Sequence, residues 1–111
     1  MEKLERYRAI VQNLLLDCAR HKPAHGEIEI EPIFDQERDR YQVIHIGWHG
    51  KEWIHGAIAH MDIKAQKVWL QWNTTERDLA AELVAAGIPA EDVVLGFHTP
   101  FMRQFSGYAV S

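Results

Sequence analysis

Three segments of alternating side chains, joined by very short connections, constrain the fold of this chain most. They cover residues 41–49, 52–64 and 68–73. Only Gly50-Lys51 separates the first two segments, and Ala65-Gln66 lies between the second and the third. Two-residue connections join neighbouring antiparallel strands, and glycine at the first turn position favours a type II′ turn. The sequence therefore predicts an antiparallel meander of three strands over these segments.

The two turns also predict which residues lie opposite each other. A register slip of one residue would move every apolar side chain of a strand to the other face. The predicted pairs are Trp48 with Trp53, Ile46 with His55, Ile44 with Ala57, Ile63 with Val68, Met61 with Leu70 and Ala59 with Trp72.

In this register the two faces of the sheet differ in character. One face is continuously apolar and is expected to be the core, with Ile44, Ile46, Trp48, Trp53, Ala57, Ala59, Met61, Ile63, Val68, Leu70 and Trp72. The other face is mixed, and is either solvated or covered by a partner, with Tyr41, Val43, His45, Ile54, Ile58, His60, Asp62, Trp69 and Gln71.

A helix is predicted over residues 2–20. Its apolar residues recur at steps of three and four, which places them on one face that we expect to pack in the core. They are Leu4, Tyr7, Val11, Leu14, Leu15 and Cys18. Pro23 and Gly26 would end this helix.

A further strand is predicted before these three, which extends the predicted antiparallel meander to about four strands. Ile28 and Ile30 alternate with glutamates, so one face of this strand would be solvated. Pro32 has no N–H to donate to a neighbouring strand, which places the strand at an edge or at a bulge. Residues 35–40 are charged and are expected to form a loop.

A second helix is predicted after the meander. Thr75 would cap it, with Asp78 as the capping-box partner three residues on. Gly87 would end it in a left-handed conformation, and Pro89 would prevent its continuation. Residues 93–95 form a short strand or extended segment. The apolar stripe of the helix is predicted as Leu79, Leu83 and Val84.

The last eighteen residues, 94–111, are rich in aromatic side chains and do not become a polar tail. A terminus normally frays unless something holds it, so this C-terminal run is expected to be docked. Arg103 offers a fork of donors suited to carboxylates or backbone carbonyls. It is therefore either an internal clamp or an exposed recognition element. Together the elements predict an α+β fold in one domain of residues 1–111.

The composition narrows the classes of function. The formal net charge of the 111 residues is −4, and proteins that grip phosphate backbones usually rely on Lys and Arg. A stand-alone DNA-binding protein is therefore disfavoured. The single cysteine, Cys18, cannot form an internal disulfide and fits a reducing cytoplasm. No signal core and no apolar run of about 18 residues is found, so no membrane segment is expected.

The sequence contains no convincing metal site. Seven histidines suggest one at first, because neutral imidazole is a common ligand. The predicted register, however, sets none of His45, His49, His55 and His60 directly opposite another. One cysteine cannot supply a thiolate cluster. No metal ligand and no cofactor-binding residue is therefore predicted.

Catalytic constellations are equally weak. Cys18 lies on an apolar helical stripe, where cysteine is more often a small hydrophobic residue. Thr99 and Ser106 lie near His98 in sequence, but no nucleophile motif surrounds them. A nuclease would need clustered carboxylates for Mg²⁺, and the segment 62–64 lacks a second carboxylate in the required place. No catalytic residue is predicted.

The order and spacing of several motifs resemble the XisI family, the fdxN-element excision controlling factors, over nearly the whole chain. The motifs are Tyr7-Arg-Ala-Ile-Val-Gln-Asn-Leu-Leu15, Phe34-Asp-Gln-Glu-Arg-Asp-Arg-Tyr-Gln-Val43, Gly47-Trp48, Asp62-Ile-Lys64, Glu82-Leu-Val84, Gly87-Ile-Pro89, Val94-Leu-Gly-Phe-His98, Pro100, Arg103 and Tyr108-Ala-Val110. The chain departs from the family pattern at Ala65-Gln66, where an Asp-Gly-like turn is expected, and at Ser106-Gly107.

The resemblance implies a small α+β protein that acts with a companion, XisH, which looks like a nuclease-fold protein. The pair would act in site-specific excision of a DNA element that interrupts a nitrogen-fixation gene, with the recombinase as a third protein. In that scheme the chain is a non-enzymatic regulator. The alternatives are a DNA-binding accessory factor of recombination or, less favoured, a nuclease; a homo-oligomer is also compatible with the sequence.

The mixed sheet face and the C-terminal run are predicted to bind the partner. The candidate partner-binding residues are Tyr41, His45, His60, Trp69, His98, Arg103, Phe105 and Tyr108.

Overall fold

A five-stranded sheet, with helices packed against it, organises the protein. The computed structural model describes residues 2–20 and 27–111, so Pro23 and Gly26 lie outside the described residues. In chain order the elements are α1 (Lys3–Ala19), β1 (Glu27–Asp35), β2 (Arg40–His49), β3 (Glu52–Lys64), β4 (Lys67–Asn73), α2 (Leu79–Ala85), a 3-10 turn (Ala90–Asp92), β5 (Val93–Leu95) and α3 (Pro100–Arg103). The predicted α+β class is confirmed.

The strands lie side by side in the order of the sequence, β1-β2-β3-β4-β5. The first four are antiparallel neighbours, as predicted for a meander. The short segment 93–95 is a fifth strand, which pairs parallel to β4. The strand containing Pro32 is at the edge of the sheet, which confirms that prediction, and it extends as far as Asp35.

Helix α1 covers one side of the sheet with the face that its periodicity predicts. The Glu2 side chain caps the helix by accepting a hydrogen bond from the Leu4 N–H at 3.0 Å. The fully buried face of α1 consists of Tyr7, Val11, Leu15 and Cys18. The Tyr7 hydroxyl also donates to the Asp92 carboxylate, and burial raises the pKa of Tyr7 to about 12. Helix α1 is thereby joined to the 3-10 turn before β5.

The predicted register is confirmed around both turns and fails beyond two bulges. Five of the predicted pairs occur, including Trp48 with Trp53 and Met61 with Leu70. The pairing of Ala59 with Trp72 was wrong, since Trp72 lies opposite His60. The register shifts once between Val43 and Ile44 and once between His60 and Met61. A bulge inserts one unpaired residue, so the side chains beyond it change face.

The bulges overturn the prediction of one apolar and one mixed face. Cross-strand partners share a face, so the sheet divides into a helix side and an outer face. The helix side carries Tyr41, Val43, Ala59, Met61, Ile63, Val68 and Leu70, which form the core together with α1 and α2. The outer face carries Ile44, Ile46, Trp48, Trp53, Ala57, His60, Asp62, Trp69 and Trp72.

The ends of helix α2 show one correct and one wrong prediction. Asp78, and not Thr75, caps the helix, because its side chain accepts from the Ala81 N–H. At the other end Gly87 has φ +121°, and the Ile88 N–H reaches the Leu83 carbonyl at 3.1 Å. This is the bonding expected of a left-handed helix end. The buried residues of α2 are Leu79, Ala80 and Leu83, so Val84 was wrongly assigned to the stripe.

The two hairpin turns differ in backbone geometry. Gly50 has φ +62° and Lys51 is not in the positive region, which fits the predicted type II′ turn. Ala65 and Gln66 both have positive φ, at 50° and 63°. Two consecutive positive values are the mark of a type I′ turn. No helix in residues 2–20 or 27–111 is long and apolar enough to cross a bilayer.

Candidate functional site

Arg103 holds the C-terminal run against the sheet. Its Nε donates to the Leu95 carbonyl at 3.1 Å, and its two terminal nitrogens donate to the carbonyls of Gly96 and Val110 at 3.2 and 3.3 Å. The planar fork of the guanidinium suits several acceptors at once. Of the two roles predicted for Arg103, the structure therefore shows the internal clamp.

Backbone pairing docks the end of the run as well. The Ala109 N–H donates to the Val93 carbonyl at 2.8 Å, which forms a parallel bridge beside β5. Tyr108 is half-buried and packs against the core. Lys67 Nζ reaches the Ser111 carbonyl at 2.6 Å. The predicted docking of the run is therefore visible at its last residues.

The aromatic side chains of the run point largely into solvent. Phe101 and Phe105 are 65% and 69% exposed, and their rings contact edge to face at 5.4 Å. Phe97 and Met102 are also exposed. We call Phe97, Phe101, Met102 and Phe105 the C-terminal aromatic cluster. It is an apolar surface mounted on a backbone that Arg103 clamps.

Trp69 connects this run to the outer face of the sheet. Two cations lie over its ring, with Lys64 Nζ at 4.9 Å and the Arg103 guanidinium carbon at 5.2 Å from its centre. Cations over an indole ring attract it electrostatically. Within the described ranges, Trp69 Nε1 and His98 Nδ1 are buried without a hydrogen-bond partner.

A buried carboxylate lies beside Trp69 on the outer face. Asp62 is only 5% exposed, and its oxygens contact His60 Nε2 at 2.8 Å and Gln71 Nε2 at 3.1 Å. Arg40 Nε lies 3.9 Å away. These neighbours supply the hydrogen bonds and positive charge that a buried carboxylate requires. The arrangement is a satisfied polar network.

The side chains of the site do not assemble a recognisable catalytic centre in the part of the chain that the structure describes. His60 and Asp62 form a pair, but no hydroxyl or thiol among these residues is hydrogen-bonded to His60. Cys18 lies on the buried face of α1, and burial raises the pKa of its thiol, which disfavours the reactive thiolate. No described group of three or more His, Cys, Asp or Glu side chains could hold a metal ion.

The eight predicted partner-binding residues lie in different environments. Six of them lie on the outer face or in the C-terminal run: His60, Trp69, His98, Arg103, Phe105 and Tyr108. Placing Tyr41 on an accessible face was wrong, because it is fully buried in the core and its hydroxyl donates to Asp39 at 2.7 Å. His45 is half-buried on the helix side, opposite Gly56.

Sequence reasoning missed the most exposed rings of the sheet. Trp48 and Trp53, predicted in the core, are 50% and 52% exposed on the outer face, and Trp72 is half-exposed. A signal for this is present in β2, where the apolar alternation changes phase at the neighbouring pair Val43-Ile44. The apolar residues before that point face the helices and those after it face outward.

The fold and the site together define a small α+β protein with exposed aromatic surfaces of the kind that protein interfaces use. The chain belongs to the XisI family, whose model, described as XisI protein, matches residues 1–110.

Two solved structures are similar over nearly the whole chain. A XisI-like protein from Anabaena variabilis ATCC 29413 has 39% sequence identity and a TM-score of 0.91, with 99% of this chain and 100% of that chain covered. The fdxN element excision controlling factor XisI from the same organism has 28% identity and a TM-score of 0.86, with the same coverage. Comparison with the curated proteins gives no match.

Proposed function

We propose that this protein is a non-enzymatic regulator that binds an XisH-like, nuclease-fold partner in the cytoplasm and so controls site-specific excision of a DNA element. Membership of the XisI family and similarity to an fdxN element excision controlling factor support the regulatory role. The partner supplies the nuclease fold, and this chain supplies a rigid binding surface.

The observation that carries the proposal is the C-terminal aromatic cluster on its clamped backbone. Aromatic side chains are enriched in the residues that dominate binding energy. Binding is weakened when a flexible segment must be ordered, so a surface already fixed by Arg103 and the Ala109 bridge loses less. The cluster therefore has both the chemistry and the rigidity of an interface.

The proposed interface combines this cluster with the neighbouring outer face. Phe105 contributes an exposed ring, and Trp69 and His60 extend the surface across β4 and β3. Arg103, His98 and Tyr108 support it from within the run. Tyr41 and His45 lie on the helix side, and we assign Tyr41 a role in the core only.

Calorimetry between the chain and an XisH-like protein tests the proposal. Phe101→Ser with Phe105→Ser is expected to weaken binding by at least about tenfold, since central aromatic truncations cost about 2 kcal/mol or more. Val84→Ser, at an exposed apolar site on α2, is the control and should leave affinity unchanged. If the wild-type chain and an XisH-like protein do not associate, the proposed function is wrong.

The non-enzymatic role has its own test. The chain is incubated with duplex DNA and Mg²⁺ or Mn²⁺, with and without the XisH-like protein. We expect no cleavage by the chain alone. Cleavage that purifies with the chain would contradict the regulatory role.

A further inference from the structure

The distal half of the β2–β3 hairpin presents an apolar face that no described element covers. Pairing between β3 and β4 begins at Ala59, and Thr74 bonds to the Ile58 carbonyl, so within β3 the segment 52–57 pairs only with β2. Helices α1 and α2 pack on the opposite side of the sheet, where the core lies. The outer face of this half is therefore open to solvent.

Two tryptophans dominate this open face. Trp48 and Trp53 lie opposite each other across the hairpin, and their rings contact at 5.2 Å with an interplanar angle of 63°. Ile46 and Ala57, both half-buried, continue the apolar surface along the same strands, with the exposed His55 opposite Ile46. Ile44 lies on the same face and is only 8% exposed. Contiguous exposed apolar surface of this kind marks interaction sites in soluble proteins. We call these five apolar residues the hairpin face.

A row of glutamates borders the hairpin face on the edge strand. Glu27 lies opposite Trp48, Glu29 opposite Ile46, and Glu31 opposite Ile44, so the three carboxylates share its side of the sheet. None of the three has an ion pair among the described residues. The whole chain is also acidic, at −4. The charge that complements this border is positive.

The free edge of β1 is a poor alternative route for a partner. Strand addition to an edge needs a row of free backbone N–H groups, and Pro32 in β1 has none. The glutamates on the same strand further discourage edge pairing. A partner is therefore expected to approach the face of the hairpin and not its edge.

We infer that the hairpin face binds a basic protein surface in which Lys or Arg side chains flank apolar ones. The cations would meet Glu27, Glu29 and Glu31, and the apolar side chains would pack on Trp48 and Trp53. This inference rests on the proposed function, because it assigns the face to the same partner. The C-terminal run docks on β5, three strands from β2, or about 14 Å at the usual strand spacing. The partner would thus span the outer face of the sheet, from the C-terminal aromatic cluster to the hairpin face.

Calorimetry with the XisH-like protein, using full-length variants checked by circular dichroism, tests the inference. In one variant Glu27, Glu29 and Glu31 are all changed to Lys. In its control, Glu5, Glu37 and Glu76 are changed to Lys, which alters the net charge equally at exposed sites away from the hairpin face. A third variant combines Trp48→Ser with Trp53→Ser.

We expect the hairpin-face variants to weaken binding by on the order of tenfold or more, and the control triple to change it much less. Equal weakening by both charge triples would show that bulk charge alone matters, and would overturn the inference. Unchanged affinity in the hairpin-face variants, with loss in the Phe101 and Phe105 variant, would overturn it and leave the proposed function standing.

Two other outcomes are decisive. Absence of binding by the wild-type chain would remove the proposed function, and this inference with it. Sedimentation of the chain alone tests whether the hairpin face binds a second copy. A wild-type dimer that the Trp48 and Trp53 substitutions dissociate would assign the face to self-association and would overturn the inference.

Discussion

The guanidinium carbon of Arg103 lies 5.2 Å from the centre of the Trp69 ring, while its nitrogens donate to carbonyls at both ends of the C-terminal run. One side chain therefore joins the run to β5 and to the outer face of the sheet. Because the aromatic cluster is built on that run, its position depends on this contact. The same residue that sequence analysis left between two roles supports the surface that we propose as the interface.

Replacing Arg103 tests this dependence. Arg103→Lys keeps a positive charge but removes the planar fork, so most of the three carbonyl contacts are lost. We expect the free energy of unfolding to fall by about 1–3 kcal/mol, the range for losing hydrogen bonds from a charged group. Urea denaturation measures it. Arg38→Lys, where the arginine forms an exposed pair with Asp35, should change stability by less than about 0.5 kcal/mol. Equal effects at both sites would contradict the clamp.

Asp39 should make stability depend on acid pH. Its oxygens accept two bonds from Arg8, at 2.7 and 3.0 Å, and one from Tyr41. The Arg8 hydrogen bond is the main reason why the pKa of Asp39 is lowered from its usual 3.8. A depressed carboxylate pKa stabilises the fold above the unfolded pKa, and the effect is lost as the pH falls through the folded pKa.

The matching variant is Asp39→Asn, which removes the charge and tolerates the positive φ of 56° at this position. The stability difference between wild type and variant should be largest near neutral pH and should shrink below about pH 4. Denaturation across pH 2 to 7 provides the measurement. Glu37→Gln is the control, because Glu37 is exposed in the turn between β1 and β2. A difference that stays constant with pH would contradict the assignment.

Two glycines with positive φ should respond differently to a side chain. A Cβ at Gly47 would lie 2.2 Å from the Glu27 carbonyl oxygen, whereas a Cβ at Gly50 would meet nothing within 4 Å. Gly50→Ala should therefore cost only the conformational strain, about 1 kcal/mol. Gly47→Ala should cost distinctly more, because β1 must also move away. Thermal unfolding of both variants checks the order, and equal costs would argue against close packing of β1 on Gly47.

The register of the sheet could be predicted near each turn, since the length of a hairpin loop determines the pairs beside it. It could not be predicted past the bulges, which depend on how the strands pack against the helices. The extra residue at the first bulge is Ile58 in β3, so Ala59 faces the helices with Val43 while Ala57 faces outward with Ile44. Periodicity alone treats a strand as having one buried face, so it assigned the tryptophans to the core.

The candidate site could be predicted only in part, again because the direction of its side chains depends on tertiary packing. The docking of the C-terminal run could be predicted from its composition alone, because it is rich in aromatic residues and does not become a polar tail. Which of its rings are covered depends on α3, a single turn started by Thr99 and Pro100. Phe101 in that turn and Phe105 just after it are exposed, while Arg103 points to the sheet. In a helix of a single turn, tertiary contacts determine which side chains point outward.

The chain alone should bind duplex DNA weakly or not at all. Its net charge of −4 opposes a phosphate backbone, and several arginines are committed to carboxylates, including Arg8 and Arg77. Fluorescence anisotropy with labelled duplex at low salt should show no saturable increase. Saturable binding that weakens steeply with added salt would instead support a DNA-binding accessory factor.

The turn at Ala65-Gln66 should be open to improvement. Both residues have positive φ, a conformation that costs most non-glycine residues energy and that Asn-Gly adopts readily in type I′ turns. Ala65→Asn with Gln66→Gly is expected to raise the free energy of unfolding by about 0.5–2 kcal/mol. Ala65→Val is the opposing control, because a β-branched residue at positive φ should destabilise the hairpin. Urea denaturation of the wild type and of both variants measures the two changes in the free energy of unfolding. If Asn-Gly lowers stability, then Ala65 or Gln66 makes a contact in this turn that outweighs its backbone strain.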